Sequence, residues 1–528
     1  MPRVLAGIGL AALSAVMLFI VWDGHGNIWP LSLVAYVPMY VAAYRVLPRR
    51  WSGLAYGIAA FGYWLSYSMF AAEVVGPAAV LGIPLVLGLC WALVGSFERP
   101  FNERTEYRWF IVSFPLLWTA LEVLAQLSVY IGSVFWFAYR LAPAPALAQP
   151  VSWFSSPALT FTLLLCNAGL ALIVLRLMDR RWPALGSVAI PRRVWRTSVA
   201  VALGVPVAWF ALSLAMYANV NSELGPTVRV ASVQPGIAHV PFDGSSITGV
   251  KLPEPQNTQR NAALAADLDA LTRDAAAKGA RLVVWPEIIF DYDVYGAQGD
   301  WIRALARDLD VTLVVGYEPD FPDPEAANLA AVVLPDGTMG AQPYAKVHPV
   351  LLEGERFTAV ERYPTYATPI GQLGVVICWD HDFADSGVRL TTLAGAEIVA
   401  IPALDPPSMA HLRWESLTFR AIENRVPLVK TDVGWDAAII NANGDLVQRI
   451  ANTDEDGEVA VLVGDVNLGP ANAVFTATGG YPFATLVVLG VVARYVWQII
   501  LWRRGRRLPV VNEGVADGER VAGARRAG

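Results

Sequence analysis

Apolar residues in this chain are distributed in two ways. Before residue 220 they form long, nearly unbroken runs at roughly 4–22, 30–47, 53–72, 77–97, 108–128, 156–178 and 197–218, and an eighth run covers about 480–502. Runs of this length predict helices that cross a hydrocarbon core about 30 Å thick. Between the seventh and eighth runs the pattern changes to short β-branched stretches alternating with amphipathic segments. Strands are predicted at 228–234, 281–285, 311–316, 373–378, 397–401 and 427–431, and helices at 258–278, 299–308, 383–394 and 409–424. Turns at Asp336-Gly337 and Asn443-Gly444 predict two hairpins. Strands and helices in this order predict mixed sheets covered by helices. The chain is therefore expected to divide into a seven-span region over 1–220, a soluble domain over 227–467, an eighth span over 480–502 and a basic tail over 503–528.

Composition agrees with that division. Of 528 residues, 55% are hydrophobic and 16% charged, which excludes a chain that is soluble throughout. Arginine placement gives an orientation, because short loops rich in positive charge stay in the cytoplasm. Arg45, Arg49 and Arg50 follow the second run, Arg99, Arg104 and Arg108 the fourth, and Arg180, Arg181, Arg192, Arg193 and Arg196 the sixth. The alternate loops at 23–29 and 73–76 carry no Lys or Arg. Both termini are expected inside and the soluble domain outside. The first run has no small-residue cleavage site after it, so it is read as a retained span rather than a signal peptide. A net charge of −6 with no basic stripe argues against nucleic acid as a partner.

Candidate chemistry lies in the soluble domain. Cys378 is the only cysteine outside the apolar runs, and Cys90 and Cys166 are read as packing residues within them. A single thiol in a disulfide-favouring compartment, at the end of the predicted strand Gly374-Val375-Val376-Ile377-Cys378, suggests a nucleophile. Upstream, Trp285-Pro286-Glu287 closes one predicted strand and Tyr344-Ala345-Lys346 another, giving a carboxylate, an ammonium and a thiol in that order. Taken singly, Glu287 reads as a cap for the following turn and Lys346 as a solvated hairpin lysine; their order with Cys378 favours acyl transfer through a thioester. His348, His381 and His411 lack metal-ligand spacing, so no metal is expected. Arg413, Glu415, Arg420 and Glu423 are expected to form a solvated or interfacial helix face. Phe135, Trp136, Phe137, Trp153 and Phe154 are read either as interfacial anchors or as the lining of an acyl-chain entrance.

The three strand ends, with Glu353-Gly354-Glu355 after Lys346, resemble the Glu-Lys-Cys triad of the carbon-nitrogen hydrolase (nitrilase) superfamily. Seven spans before that domain and one after it resemble the membrane branch of that superfamily, apolipoprotein N-acyltransferase; Trp136, Tyr139, Gln149 and the Thr478–Pro482 stretch are similar as well. The resemblance implies an eight-span membrane domain joined to an αββα sandwich, in a multi-pass protein of the bacterial inner membrane. It implies that Glu287 takes the thiol proton of Cys378, that Lys346 stabilises the oxyanion, and that no cofactor is used. The implied donor is a membrane phospholipid, and the implied acceptor is the α-amine of a diacylglyceryl-cysteine lipoprotein. Glu355 or Glu353 would orient Lys346 or the substrate amine, with Trp379, Asp380 and Trp136 as supporting or substrate-binding residues. Two departures stand out. Trp379-Asp380 replaces a Tyr-Glu pair, and Pro402-Ala403-Leu404-Asp405-Pro406-Pro407 replaces an Asn-Asp-Ala-Trp-like loop. They leave open a membrane-tethered amidase or acyl hydrolase, or a non-catalytic lipoprotein-binding paralogue.

Overall fold

The computed structural model describes residues 2–185, 188–240, 253–319, 323, 325–454 and 456–503; all but the first residue of the expected tail over 503–528 lies outside them. The amino-terminal part is helical: α1 (Pro2–Ile20), α2 (Gly53–Phe70), α3 (Pro77–Arg104), α4 (Phe110–Ala125), α5 (Ser156–Arg181) and α6 (Arg192–Glu223). Among the described residues five helices are long and apolar enough to cross a membrane, namely α1, α3, α5, α6 and Tyr481–Arg503. Helix α4 has only 16 residues, and α2 buries most of its side chains inside the protein.

The run at 30–47 departs from the expected continuous helix. It breaks into a 3-10 turn at Trp29–Leu33, a short α-helix at Val37–Val41 and a π turn at Ala42–Val46. Asn167 of α5 compensates for the break: its Oδ1 accepts from the Tyr36 N–H at 2.9 Å and its Nδ2 donates to the Ser32 carbonyl at 2.8 Å. Irregular backbone is tolerated among membrane helices where buried protein groups supply such partners. Hydropathy alone does not register such a break.

Between α6 and the carboxyl-terminal helix the described residues form two six-stranded sheets, ordered β12-β1-β2-β3-β4-β5 and β11-β10-β9-β8-β7-β6. The first comprises β1 (Thr227–Gln234), β2 (Leu282–Val284), β3 (Thr312–Tyr317), β4 (Leu329–Val333), β5 (Tyr344–Ala345) and β12 (Ala460–Asn467). The second comprises β6 (Thr365–Thr368), β7 (Gly371–Val375), β8 (Ile398–Pro402), β9 (Leu428–Thr431), β10 (Asp436–Ile440) and β11 (Leu446–Ala451). In each sheet three central strands are parallel, β1-β2-β3 and β7-β8-β9, and antiparallel strands close the edges. The sheets face one another through β1 with β9 and β3 with β8, with α7 (Gln256–Ala277) and α8 (Asp300–Leu309) outside one and α9 (Gly387–Leu393) and α10 (Arg413–Asn424) outside the other. Fully buried β2, β3, β8 and β9 read as apolar runs because both faces are covered. β6 and β12 are absent from the expected strands: β6 is a short polar stretch, Thr365-Tyr366-Ala367-Thr368, whereas β12 opens on the apolar run Ala460–Val463 before turning polar at Asp465.

The expectation for α10 is overturned. All twelve of its residues are buried, because the helix is packed between the second sheet and the bundle segments at 137–141 and 151–154. Its charges are paired instead of solvated: Glu415 with Arg140 at 2.6 Å, Arg420 with Glu423 at 2.8 Å, and Glu423 with the Ser156 hydroxyl at 2.6 Å. The Arg140 guanidinium also stacks 3.4 Å from the Trp22 ring. A sequence pattern of alternating charge looks the same whether the partners are water or buried counter-ions. Helix α11 (Tyr481–Arg503) returns the chain to the bundle, where Arg494 pairs with Glu98 of α3 and donates to the Ser113 hydroxyl of α4 at 2.7 Å.

Replacing Arg140 by Met is expected to leave the Glu415 carboxylate buried without its counter-ion, at a cost of about 3–5 kcal/mol. The check is a lower thermal unfolding midpoint in detergent, with partial recovery when Glu415→Gln is added.

Candidate active site

The carboxyl ends of the parallel strands point the same way, and the candidate residues follow them, as is general for ligand sites in such sheets. Glu287 lies three residues beyond β2, Cys378 three beyond β7, Asp405 three beyond β8, and Lys346 directly after β5. The turn at Pro286-Glu287 passes close over β3: a Cβ on Gly316 would lie 2.3 Å from the Pro286 carbonyl oxygen, so only glycine fits there. Across the sandwich the Glu287 N–H donates to the Ala403 carbonyl at 3.4 Å, joining the two sheets at the site.

Cys378 does not end a strand as the sequence suggested. β7 stops at Val375, and Cys378 opens a 3-10 turn, Cys378–Asp382, with φ of +42°. That left-handed conformation is uncommon for a residue with a side chain and turns the thiol out of the sheet. Asp380 holds the turn: its carboxylate accepts from the Ile377 N–H at 3.2 Å, the Tyr344 hydroxyl at 2.7 Å and the His348 N–H at 2.8 Å. Burial opposes its charge, but His348 and Tyr344 hold it below the usual carboxylate range. Asp380 is therefore an anchor beneath the Cys378 thiol. His381 bonds back to the Cys378 carbonyl through Nδ1 and faces Asp382, so it does not engage the thiol.

Lys346 is buried between carboxylates, with Nζ 2.9 Å from Glu287 Oε1 and 2.8 Å from Glu355 Oε1. Glu355 thus takes the place left open between it and Glu353. Burial works against the ammonium, yet Glu287, Glu355 and the Cys378 sulfur hold its pKa well above the ordinary lysine value. Asn328, which sequence reasoning missed, donates to Glu287 Oε1 at 2.6 Å, and its carbonyl accepts from the Lys346 N–H at 2.9 Å. A lone Asn before a strand carries no motif, so nothing in the sequence marked it. Glu287 Oε2 is buried and has no hydrogen-bond partner among the described residues. Burial raises the Glu287 pKa, and Lys346 opposes that rise.

On its other side the thiol meets a second set of charges. Cys378 Sγ is 3.9 Å from Asp405 Oδ1 and 3.9 Å from the Leu404 carbonyl. Asp405 is tied to Arg413 Nε at 2.9 Å and Lys430 Nζ at 2.9 Å, and Arg413 also pairs with Asp382 and lies 5.2 Å from the Trp379 ring. Burial alone would raise the Asp405 pKa, but Arg413 and Lys430 hold the carboxyl well below its usual range. The thiol itself is pushed well above its ordinary value by burial, then by Glu287 and Asp405, against the pull of Lys346 and Arg413. Arg413 and Asp405 thus belong to the site, although the first was expected on a solvated face.

Cys378 opens onto a cavity of about 270 Å³. Trp64 and Tyr67 of α2, Leu87 of α3, Leu121 of α4 and Phe135 supply its apolar wall from the bundle, while Glu353, Trp379, Asp405 and Arg413 line it from the sandwich. Trp136 is not on this wall; it is buried behind it, donating to the Glu122 carbonyl at 3.2 Å and stacked 5.4 Å from Arg420. Trp153 and Phe154 are exposed, whereas Phe135 to Phe137 are buried. Among the described residues no group of His, Cys, Asp and Glu has the arrangement of a metal site.

A two-sheet sandwich with a thiol, an ammonium and a carboxylate at its strand ends, attached to a helical membrane region, defines a membrane-bound carbon-nitrogen hydrolase. The sequence profile of carbon-nitrogen hydrolases matches residues 229–474, and that of the apolipoprotein N-acyltransferase N-terminal domain matches residues 14–169. The chain is 26% identical over 531 residues to the apolipoprotein N-acyltransferase of Geobacter metallireducens, covering 93% of this chain and 95% of that protein. It is 23% identical over 227 residues to omega-amidase NIT2 of Homo sapiens, covering 37% of this chain and 80% of the relative. A carbon-nitrogen hydrolase structure from Helicobacter pylori G27 aligns with 49% of this chain and 94% of its own at 20% identity and a TM-score of 0.37. The chain thus joins a stretch matching the N-terminal domain of apolipoprotein N-acyltransferases to a carbon-nitrogen hydrolase domain, and it is similar to an apolipoprotein N-acyltransferase over nearly its whole length.

Because burial keeps the resting thiol neutral, its alkylation by iodoacetamide is expected to be slow near pH 7 and to climb only in more alkaline solution than an ordinary cysteine requires. Lys346→Met removes a stabilising cation and is expected to slow it several-fold; Asp405→Asn removes a repelling carboxylate and is expected to speed it. Mass-spectrometric rates of Cys378 labelling across pH check both signs.

Proposed function

We propose that this protein transfers a fatty acyl chain from a membrane phospholipid, through a thioester on Cys378, to the α-amine of a diacylglyceryl-cysteine lipoprotein. The observation that carries this reading is the shared cavity: the thiol opens onto a space whose apolar wall comes from membrane helices. An acyl chain fits such a wall, and the ester carbon then arrives beside the sulfur. Glu287, with Oε2 unoccupied, takes the thiol proton as sulfur attacks the ester. Its raised pKa makes it a better base for a weakly acidic thiol. Lys346, held by Glu287 and Glu355, stabilises the tetrahedral oxyanion together with the Trp379 N–H, the first donor of the 3-10 turn. Glu287 then returns the proton to the departing lysophospholipid oxygen. In the second half of the cycle the amine attacks the thioester, and the C–S bond breaks as the amide forms.

In this reading the chain crosses the inner membrane of a bacterium eight times. Residues 1–220 contribute seven crossings and 480–502 the last, both termini face the cytoplasm, and residues 227–467 lie on the outer side. The arginine-rich loops support that orientation.

Purified wild-type protein given phospholipid and a diacylated cysteinyl lipopeptide is expected to yield the N-acyl lipopeptide and lysophospholipid, and Cys378→Ala to yield neither. Mass spectrometry of all lipid products decides. Free fatty acid alone would mean that water is the acceptor, and equal transfer by the mutant would remove the thioester from the mechanism.

A further inference from the structure

The two half-reactions proposed above differ in their proton balance, and that difference asks for a group the triad does not supply. Acylation is neutral overall: the thiol loses a proton and the leaving oxygen gains one, with Glu287 carrying it. Aminolysis is not. The acceptor α-amine has a pKa of about 7.7–8.0 and arrives largely as an ammonium near neutral pH. When its C–N bond forms and the C–S bond breaks, one proton returns to sulfur through Glu287 and a second must leave the site.

Two carboxylates line the cavity onto which Cys378 opens, Asp405 and Glu353. Asp405 is committed, since Arg413 and Lys430 both hold it. Among the described residues, no hydrogen bond or salt bridge occupies the Glu353 side chain, while the neighbouring Glu355 is spent on Lys346 at 2.8 Å and on the Val350 N–H at 2.5 Å. Glu353 follows Leu351 and Leu352, which line the same cavity, so an acid and two apolar side chains border the space onto which Cys378 opens.

We infer that Glu353 docks the incoming α-ammonium of the acceptor and accepts the proton it must lose before attacking the thioester. This rests on the acyl-transfer reading given above and divides the base chemistry: Glu287 serves the sulfur, and Glu353 serves the nitrogen. The surroundings suit the task. Burial first, with Glu355 and Asp405 adding to it against the pull of Lys346 and Arg413, pushes the Glu353 carboxyl up to about 8. A carboxylate raised in this way takes a proton more readily than an ordinary glutamate does, and transfer from the docked ammonium leaves the amine neutral and nucleophilic. After transfer the proton passes from Glu353 to water, and the site resets.

The test isolates the second half-reaction. Wild type, Glu353→Gln and Glu353→Asp are loaded with phospholipid until the Cys378 thioester is seen by intact-protein mass spectrometry. Its consumption by a diacylated cysteinyl lipopeptide is then followed in single turnovers between about pH 6.5 and 9.5. Glu353→Gln is expected to slow consumption on the order of 100-fold near pH 7, and the deficit should shrink towards pH 9.5, where solvent already holds the amine neutral. Glu353→Asp should restore part of the rate. Hydroxylamine, uncharged at neutral pH, should consume the thioester with a much smaller deficit. Equal lipopeptide rates for wild type and Glu353→Gln, or a deficit independent of pH and shared by hydroxylamine, would overturn the inference. Failure of the wild-type thioester to form, or its discharge to water alone, would instead overturn the acyl-transfer reading on which it rests.

Discussion

The site exists only where two separately built parts meet, so everything depends on what fixes one against the other. That task falls to α10. Its buried charges reach Arg140, Ser156 and Tyr139 of the bundle from one side, and Asp405 and Asp382 of the sandwich from the other. An apolar helix would bury as well but would slide, because dispersion contacts are nondirectional. Ion pairs with defined partners fix rotation and register together, and leaving any partner alone in a dry interior is costly. The shared cavity keeps its shape because its two walls are tied by the same helix.

Within that frame the Cys378 thiol is held uncharged. Burial dominates the energetics of Cys378, Glu287 and Lys346 alike, and it favours the neutral thiol. The carboxylates Glu287 and Asp405 add to that effect, and the cations Lys346 and Arg413 oppose it. A thiol kept protonated among lipids and oxidants is less prone to side reactions than a standing thiolate. In the proposed mechanism, activation then waits for a substrate that expels water and lets the free oxygen of Glu287 act.

Much of this architecture was legible in the sequence because it rests on local rules. Apolar runs long enough to span lipid, strand ends marked by Trp-Pro-Glu and by a solitary cysteine, and the hairpin turn at Asn443-Gly444 all leave signatures within a few residues. What escaped notice depends on distant partners. The break at 29–46 is possible only because Asn167 satisfies it, and Arg413 is buried only because Asp382 and Asp405 wait for it. Asn328 is likewise silent in one dimension. Cys378 itself was placed correctly but given the wrong backbone, since a β-branched run does not reveal that its last residue turns into the left-handed region.

The pair formed by Arg494 and Glu98 bears on how the protein is made. Their positions are 396 residues apart, and between them the ribosome must deliver the whole sandwich. Before α11 packs, Ser113 and Asn102 are the side chains among the described residues that donate to Glu98. Its carboxylate gains a cationic partner when α11 settles against α3. A helix that follows the whole sandwich in the chain is thus sealed into the bundle by an ion pair, so the bundle closes over its charges only after both sheets have been made.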